Sequence, residues 1–387
     1  MKVLQIGKFY PPHWGGMETA LKDICETTAP HLELDVVVAG EERIGRKEDG
    51  PGFRIERLAR WGTVCSQPIC PGLLAYLRRS RAAIVHLHEP NPLAMATFLV
   101  SGHPAQLVVH YHSDIVRQKR LACLYRPILE RGLRRAVAIL AGSQELIDNS
   151  PVLGRFASKC IVVPFGIDLR PFLALAREEK PAEQPGGDLP LVLAVGRLSY
   201  YKGFHYLIEA VRHLPVRLVI AGDGEMKPEL ERQANRLGLS GRVTLRGSVS
   251  TAQLLSLYRA ADLFCLPSCE RSEAFGLVQL EAMGAGLPIV STDLPTGMRS
   301  INVDGQTGFR VAPHDAAALA SAIAKLAADP GLRARMGTAA RRRAQTHYCR
   351  EAMGRRILEI YASVISESRP HFPFHLTVGR PAREVML

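Results

Sequence analysis

Short apolar runs, each followed by a stretch with helical spacing, recur from one end of this chain to the other, and that alternation limits the folds open to it. Val3 to Gly7, Leu34 to Ala39, Ala82 to His88, Leu107 to His112, Ala136 to Gly142 and Cys160 to Pro164 read as strands. A charged, Pro- and Gly-rich run from Pro171 to Pro190 interrupts the pattern and reads as a linker. Beyond it the pattern resumes with LVLAV, RLVIAG, Arg242 to Gly247 and Ala261 to Pro267. A chain of 387 residues is also too long for one core of ordinary size. The expectation is an α/β protein of two parallel-sheet domains: residues 1–170, with a C-terminal helix at about 350–387, and residues 185–350. The polar stretch Glu41 to Gly52 reads as a surface loop, the Arg-rich segment Arg333 to Arg343 as a solvated helix face, and the tail after Arg369 carries no assigned role.

Chemistry concentrates in one stretch, ERSEAFGLVQLEAMGAGLPIVSTDLP, from Glu270 to Pro295. It reads as strand, loop, short helix and strand, with seven residues between Glu273 and Glu281. If the intervening residues are helical, the two backbones stand roughly 12 Å apart. The amides of Ala274, Phe275, Gly276 and Leu277 would then lie free at a helix start, where a diphosphate is favoured. Glu273 would face a hexose and Glu281 a ribose, a span that suits a nucleotide sugar. An exposed loop Glu and a capping Glu are the plainer alternative.

This stretch resembles the Glu-x7-Glu signature of the retaining glycosyltransferases of family 4, which have the GT-B fold: two Rossmann-like domains with parallel sheets facing across a cleft, and a C-terminal helix that crosses back to the first domain. Other residues fall where that resemblance places the site. Gly15 and Gly16 precede a helix and let a phosphate approach the backbone; alone they are equally a strand-to-helix turn, and the resemblance implies contact with the donor diphosphate. Arg197 and Lys202 follow a strand and precede a helix, as cations suited to a departing diphosphate. They match the family's Gly-Arg…Lys-Gly element. His112 stands at a strand's C-terminal tip, where open α/β sheets bind ligands, and the resemblance implies contact with the donor sugar. The family often has Pro-Asn-Gly-Ile-Asp where this chain has PFGID, so no polar role carries over to Phe165. Ser248 to Ser250 stand where relatives place the nucleotide base.

HSDIVRQK and RSEAFGLVQLEAM look most like bacterial mannosyl- or rhamnosyltransferases of lipopolysaccharide or exopolysaccharide assembly. The resemblance implies a hexosyltransferase acting on a glycan or lipid-linked acceptor, with GDP-mannose favoured as donor and UDP-glucose next. No metal or other cofactor is expected: no Asp-x-Asp occurs, and two cations stand where a metal would neutralise the diphosphate.

The net charge of +12 asks for an anionic partner. RQKRLACLYRPILERGLRR, from Arg117 to Arg135, carries Leu121, Leu124, Ile128, Leu129 and Leu133 at helical spacing, with Pro127 expected to start or kink the helix. It reads either as a packed helix with a solvated basic face or as a segment lying on an anionic membrane. The eight cysteines form no CxxC pair, and Cys25, Cys160 and Cys265 read as reduced core residues of a cytoplasmic protein. His86 and His88 share one strand face, as metal ligands might, yet only Glu89 accompanies them. Two rival functions remain: a sugar-nucleotide epimerase of the same architecture, and a non-catalytic nucleotide- or nucleic-acid-binding protein. The latter lacks GxGxxG after the first strand, and no nucleic-acid partner is expected.

Overall fold

The structure, a computed structural model, describes residues 1–13, 15–64, 67–115, 119–175 and 189–366. The expected linker residues 176–188, the start of the basic segment at Arg117 and the tail after Ser366 lie outside these described residues.

The first sheet has eight strands in the order β10-β9-β8-β7-β1-β2-β4-β3. They are β1 (Lys2–Ile6), β2 (Glu33–Ala39), β3 (Arg46–Gly50), β4 (Phe53–Leu58), β7 (Ile84–Glu89), β8 (Gln106–Tyr111), β9 (Ala138–Ala141) and β10 (Cys160–Val162); β5 (Gly62–Val64) and β6 (Gln67–Ile69) form a separate hairpin. The second sheet orders six strands as β13-β12-β11-β14-β15-β16: β11 (Leu191–Val195), β12 (Arg217–Ala221), β13 (Val243–Gly247), β14 (Leu263–Leu266), β15 (Ile289–Thr292) and β16 (Gly308–Val311). All pairings within the two sheets are parallel except β3 with β4. That exception corrects the reading of Glu41 to Gly52 as a loop. RKEDG pairs antiparallel at the sheet edge, and its charged side chains hide a strand from any search for apolar runs.

The helices in chain order are α1 (Gly16–Thr28), α2 (Gly72–Arg79), α3 (Pro92–Ser101), α4 (Lys119–Arg135), α5 (Gln144–Asn149), α6 (Arg170–Leu175), α7 (Phe204–Ala210), α8 (Lys227–Arg236), α9 (Thr251–Ala260), α10 (Val278–Gly284), α11 (Met298–Ile301), α12 (Ala316–Ala328), α13 (Pro330–His347) and α14 (Arg350–Ser366). Helix α6 occupies the start of what reads as linker. Helix α4 runs through Pro127 instead of starting there.

Both sheets switch direction beside their first strand. β1 lies between β2 and β7, and β11 between β12 and β14. In open α/β sheets the loops diverge at such a point and leave a crevice at the carboxyl ends. The residues expected to bind donor follow β1, β8, β11 and β14, so topology alone gathers them.

Helix α14 returns to the first sheet, as expected, and packs on α1. Arg350 Nη1 lies 2.7 Å from Glu26 and 3.4 Å from Asp23, and its Nη2 3.4 Å from Asp168. One turn on, the helices touch through Gly354: a Cβ there would fall within 2.5 Å of Thr27 Cβ and nearer still to its Oγ1. Helix α13 departs from the solvated face expected of it. Arg333, Arg341 and Arg343 are partly buried and donate to the carbonyls of Leu326 and Ala327, of Leu173, and of Ser300 and Ile301. Arg335 and Arg342 do face solvent.

Gly354→Val should overpack the α1–α14 contact at about 1–3 kcal/mol. The check is thermal unfolding: an apparent Tm lower by several degrees is expected, with no change for Gly154→Ala, whose added Cβ meets nothing within 4 Å.

Candidate functional site

On the second-sheet wall, β11 ends at Val195 and Tyr200–Lys202 form a single 3-10 turn that carries Lys202 inward. Gly203 follows at φ 65°, where a Cβ would strike the Pro267 carbonyl, so the Lys202 turn is held against the end of β14. Lys202 Nζ lies 2.5 Å from Glu273 Oε2, and the Ser268 hydroxyl donates to the same oxygen at 2.8 Å. The two charged side chains are only 9% and 10% exposed. Burial pulls the Lys202 pKa down, but Glu273, Tyr201 and Glu281 together outweigh it and the net shift is upward. Lys202 is thus a neutralised partner and not the free cation the sequence suggested. Arg197 is the reverse: 73% exposed, with Glu225 its one ion-pair partner among the described residues, at 3.5 Å.

The stretch after Glu273 is a turn and not a helix start. Gly276 sits at φ 75°, and α10 begins only at Val278. Among the described residues nothing accepts a hydrogen bond from the backbone N–H of Ala274, Phe275, Gly276 or Leu277, so the free amides are there without the helix. Glu281 is on α10, where its Oε2 accepts the Tyr258 hydroxyl at 2.7 Å. Burial pushes its carboxyl up to about 7, against the Tyr258 bond and the Lys202 charge.

Opposite this turn stands the first-sheet wall. A Cβ on Gly16 would lie 3.9 Å from Leu277 Cδ1, which brings the glycine pair to the same loop. Phe165 meets Phe275 edge-on at 5.1 Å, and Arg271 donates to the Asn149 carbonyl at 2.6 Å. Phe165 also stacks on His110 and His112, with centroids 5.1 and 5.0 Å away. An aromatic face therefore occupies the position where the family has an amide.

His112 leads into a stack. Side chains two apart share a strand face, and the register sets Gln5 beside His86 and His88 beside His110. His86, His88, His110 and His112 consequently lie ring over ring, with centroids 4.6 to 5.4 Å apart in each adjacent pair. Burial holds all four well below the ordinary imidazole value of 6.5, His110 at about 3, and so they are neutral. The ligand nitrogens of His88, His110 and His112 come within 4.8 Å of one another. The first and last already share a hydrogen bond of 2.8 Å, and lone pairs of stacked rings lie in nearly parallel planes instead of converging on an ion. Cys269, Glu270 and His314 make a second such group, on the second-sheet side.

Of the other expected residues, Ser250 caps α9, accepting the Gln253 N–H at 3.3 Å. Cys25 and Cys265 are buried as expected, whereas Cys160 is only partly so. Sequence reasoning missed Gln5, Tyr258 and Tyr361, and gave Glu89 no role of its own. Glu89 is sealed at the end of β7, its carboxyl raised to about 7 by burial and its Oε2 accepting the Asn91 N–H. A glutamine within the apolar run VLQIG was a signal for Gln5; nothing local marks Tyr361.

Two parallel sheets whose switch points oppose each other across a basic and carboxylate-bearing crevice define the GT-B architecture of glycosyltransferases. Sucrose-phosphate synthase from Thermosynechococcus elongatus superimposes with a TM-score of 0.79 at 24% identity, over 95% of this chain and 99% of that one. The Anabaena protein HepE in complex with UDP-glucose gives 0.75 at 22% identity, over 94% and 100%. Residues 15–166 match the model of the glycosyl transferase 4-like domain, and residues 176–343 that of glycosyl transferases group 1. The chain is 30% identical to the O-antigen chain mannosyltransferase C of Escherichia coli, over 94% of this chain and 99% of that protein. It is 35% identical to the D-rhamnosyltransferase WbpZ of Pseudomonas aeruginosa, over 67% and 68%. The chain belongs to glycosyltransferase family 4 and is a hexosyltransferase.

The neutral histidine stack makes the fold sensitive to acid. These groups bind protons when unfolded and refuse them when folded, so stability falls as pH drops below 6.5. For His110, held at about 3, the loss approaches about 1.4 kcal/mol per pH unit over that window. A falling unfolding midpoint between about pH 7 and pH 5 is expected, smaller in His110→Phe, whose apolar ring has nothing to protonate.

Proposed function

We propose that this enzyme transfers a hexose, mannose in the favoured reading, from a nucleotide sugar to a hydroxyl of a glycan or lipid-linked acceptor in cell-surface polysaccharide assembly, with retention at the anomeric carbon. GDP-mannose is the favoured donor and UDP-glucose the next. The observation that carries the donor site is the turn Glu273–Leu277, whose unaccepted amides lie between the Lys202–Glu273 pair and Glu281, with Gly16 opposite. The mannosyl and rhamnosyl relatives favour the sugar class.

In this reading the diphosphate sits against those amides, Gly15 and Gly16, and exposed Arg197 swings onto it. Lys202 is drawn between Glu273 and the phosphate. As the bond from the anomeric carbon to the diphosphate oxygen breaks, negative charge grows where these donors already point. The acceptor oxygen attacks from the same face, and its proton passes to the departing phosphate oxygen, so no protein base is needed. His112 and Glu273 orient the sugar. Glu281, as a carboxylate, takes the ribose hydroxyls. The protein's own cations replace a resident metal.

Acceptor delivery gives a role to α4. Tyr125, Leu129 and Leu133 pack inward, while Leu121, Leu124 and Ile128 are 47%, 75% and 37% exposed beside exposed Arg131 and Arg134. No described helix is long and apolar enough to cross a membrane, but such a face suits the surface of an anionic one, on its cytoplasmic side. Leu124→Glu should reduce co-flotation with phosphatidylglycerol vesicles and leave donor binding intact.

A thermal-shift panel of GDP-, UDP-, ADP- and dTDP-sugars, with and without EDTA, tests the donor. A shift by GDP-mannose that survives EDTA is expected; no shift by any donor from a folded protein overturns the site. Glu273→Ala and His112→Ala should lower turnover more than binding. Glu281→Gln should weaken donor binding and flatten its pH dependence. In the parent enzyme, affinity should rise as pH increases through about 7, where Glu281 ionises.

A further inference from the structure

Behind His112 runs a chain of hydrogen bonds that reaches the crossing helix. His112 Nε2 lies 2.8 Å from His88 Nδ1, and His88 Nε2 lies 3.0 Å from Gln5 Oε1. Gln5 Nε2 donates to the Tyr361 hydroxyl at 2.9 Å, and that hydroxyl lies 2.5 Å from His86 Nδ1. His86, His88, Gln5 and Tyr361 are each fully buried, so water cannot substitute for a member.

The direction of the chain follows from its one amide. With its oxygen toward His88 and its N–H toward Tyr361, Gln5 fits a His88 that carries its proton on Nε2. A neutral imidazole has one N–H, which leaves His88 Nδ1 as an acceptor. His112 must then donate from Nε2 and keep a bare lone pair on Nδ1. At the other end Tyr361 accepts from Gln5, and its hydroxyl lies against His86 Nδ1. His112 Nδ1 has no partner among the described residues and is not among the sealed, unsatisfied polar atoms. It is therefore the nitrogen left for a ligand.

We propose that Gln5, His88 and Tyr361 are positioning residues of the transfer reaction: a one-way relay that holds His112 as its Nε2–H tautomer and makes its Nδ1 a hydrogen-bond acceptor toward the sugar. This rests on the reading of His112 as a donor-sugar contact. An acceptor there takes a sugar hydroxyl and lies comfortably beside positive charge growing at the anomeric centre. The opposite tautomer would aim an N–H at that charge. Because Tyr361 is on α14, the helix that returns from the second half of the chain also decides the protonation of a residue in the first.

Long-range 1H–15N spectra of the full chain, labelled at histidine and without substrate, read the tautomers directly. His112 and His88 should each show a protonated Nε2 and a bare Nδ1. A protonated Nδ1 on His112 overturns the proposal, whatever the donor proves to be. Gln5→Leu removes the acceptor, so His112 should become a mixture of tautomers. In Gln5→Glu the neutral acid offers its carbonyl to His88 and its hydroxyl to Tyr361, and the single tautomer should persist. In transfer assays Gln5→Leu should lower kcat about tenfold or more with donor KM within about twofold, Tyr361→Phe less, and Gln5→Glu should stay within about threefold of the parent. If Gln5→Leu lowers the unfolding midpoint but leaves tautomer and kcat unchanged, Gln5 is only a packing residue and the proposal fails. If the tautomers are as expected but kcat does not follow them, the relay does not serve transfer and the proposal fails equally. A failed donor panel with the expected tautomers would strike at the donor assignment alone.

Discussion

The crossing of α14 onto α1 is the constraint on which the rest depends. A helix formed by the last described residues completes the half of the molecule that contains the first strand, and it is held there by two different interactions. Arg350 gathers Asp23, Glu26 and Asp168 at the helix start. Tyr361 reaches under β1 and β7 to Gln5 and His86. Breaking a buried charge contact by removing one partner leaves the others desolvated and unpaired, which costs more than the contact itself contributes. The crossing is therefore hard to undo piecemeal, and the cleft between the sheets has one of its walls braced by residues more than 300 positions away.

Within that frame the Lys202–Glu273 pair solves a local problem. A site for a diphosphate needs cations, yet an unpaired buried ammonium is expensive before the ligand arrives. Glu273 pairs with Lys202, and the Ser268 hydroxyl donates to the same carboxylate oxygen. In the proposed donor site an incoming phosphate would compete for a cation already in place, with little reorganisation. Arg197, 73% exposed, is the second cation of that proposed site.

Much of this was legible in the chain alone, because apolar runs at regular intervals and a Glu-x7-Glu stretch are local signals. The fold class followed from the alternation, whereas the crossing helix and the gathering of Gly15, Gly16 and the Glu273–Leu277 turn at one crevice were implied by the family resemblance that those motifs carry. What local signals could not carry were partnerships. Lys202 and Glu273 each looked like a lone functional charge, and only the return of β14 beside β11 makes them neutralise each other. The amides of Ala274 to Leu277 were expected at a helix start, whereas Gly276 at positive φ holds them in a turn. Strand β3 was missed because charged residues at a sheet edge guard against association and so carry no apolar pattern. His86 and His88 looked short of partners because their companions, His110 and His112, come from the next strand.

The basic composition also reads differently once the cations are placed. Arg333, Arg341 and Arg343 on α13, Arg135 at the end of α4 and Arg242 before β13 each donate to backbone carbonyls, the groups that helix and strand ends leave without partners. Arginine does this well because its planar fork offers several N–H groups and its stem packs on apolar surface. Part of the net charge of +12 is thus a by-product of closing chain ends in a molecule with many short strands. The charge that remains available to a partner is the part with no such employment, and on α4 it stands at Arg131 beside exposed Leu124 and Ile128. That coincidence of exposed leucine and arginine on one surface is what supports the proposed contact with anionic lipid.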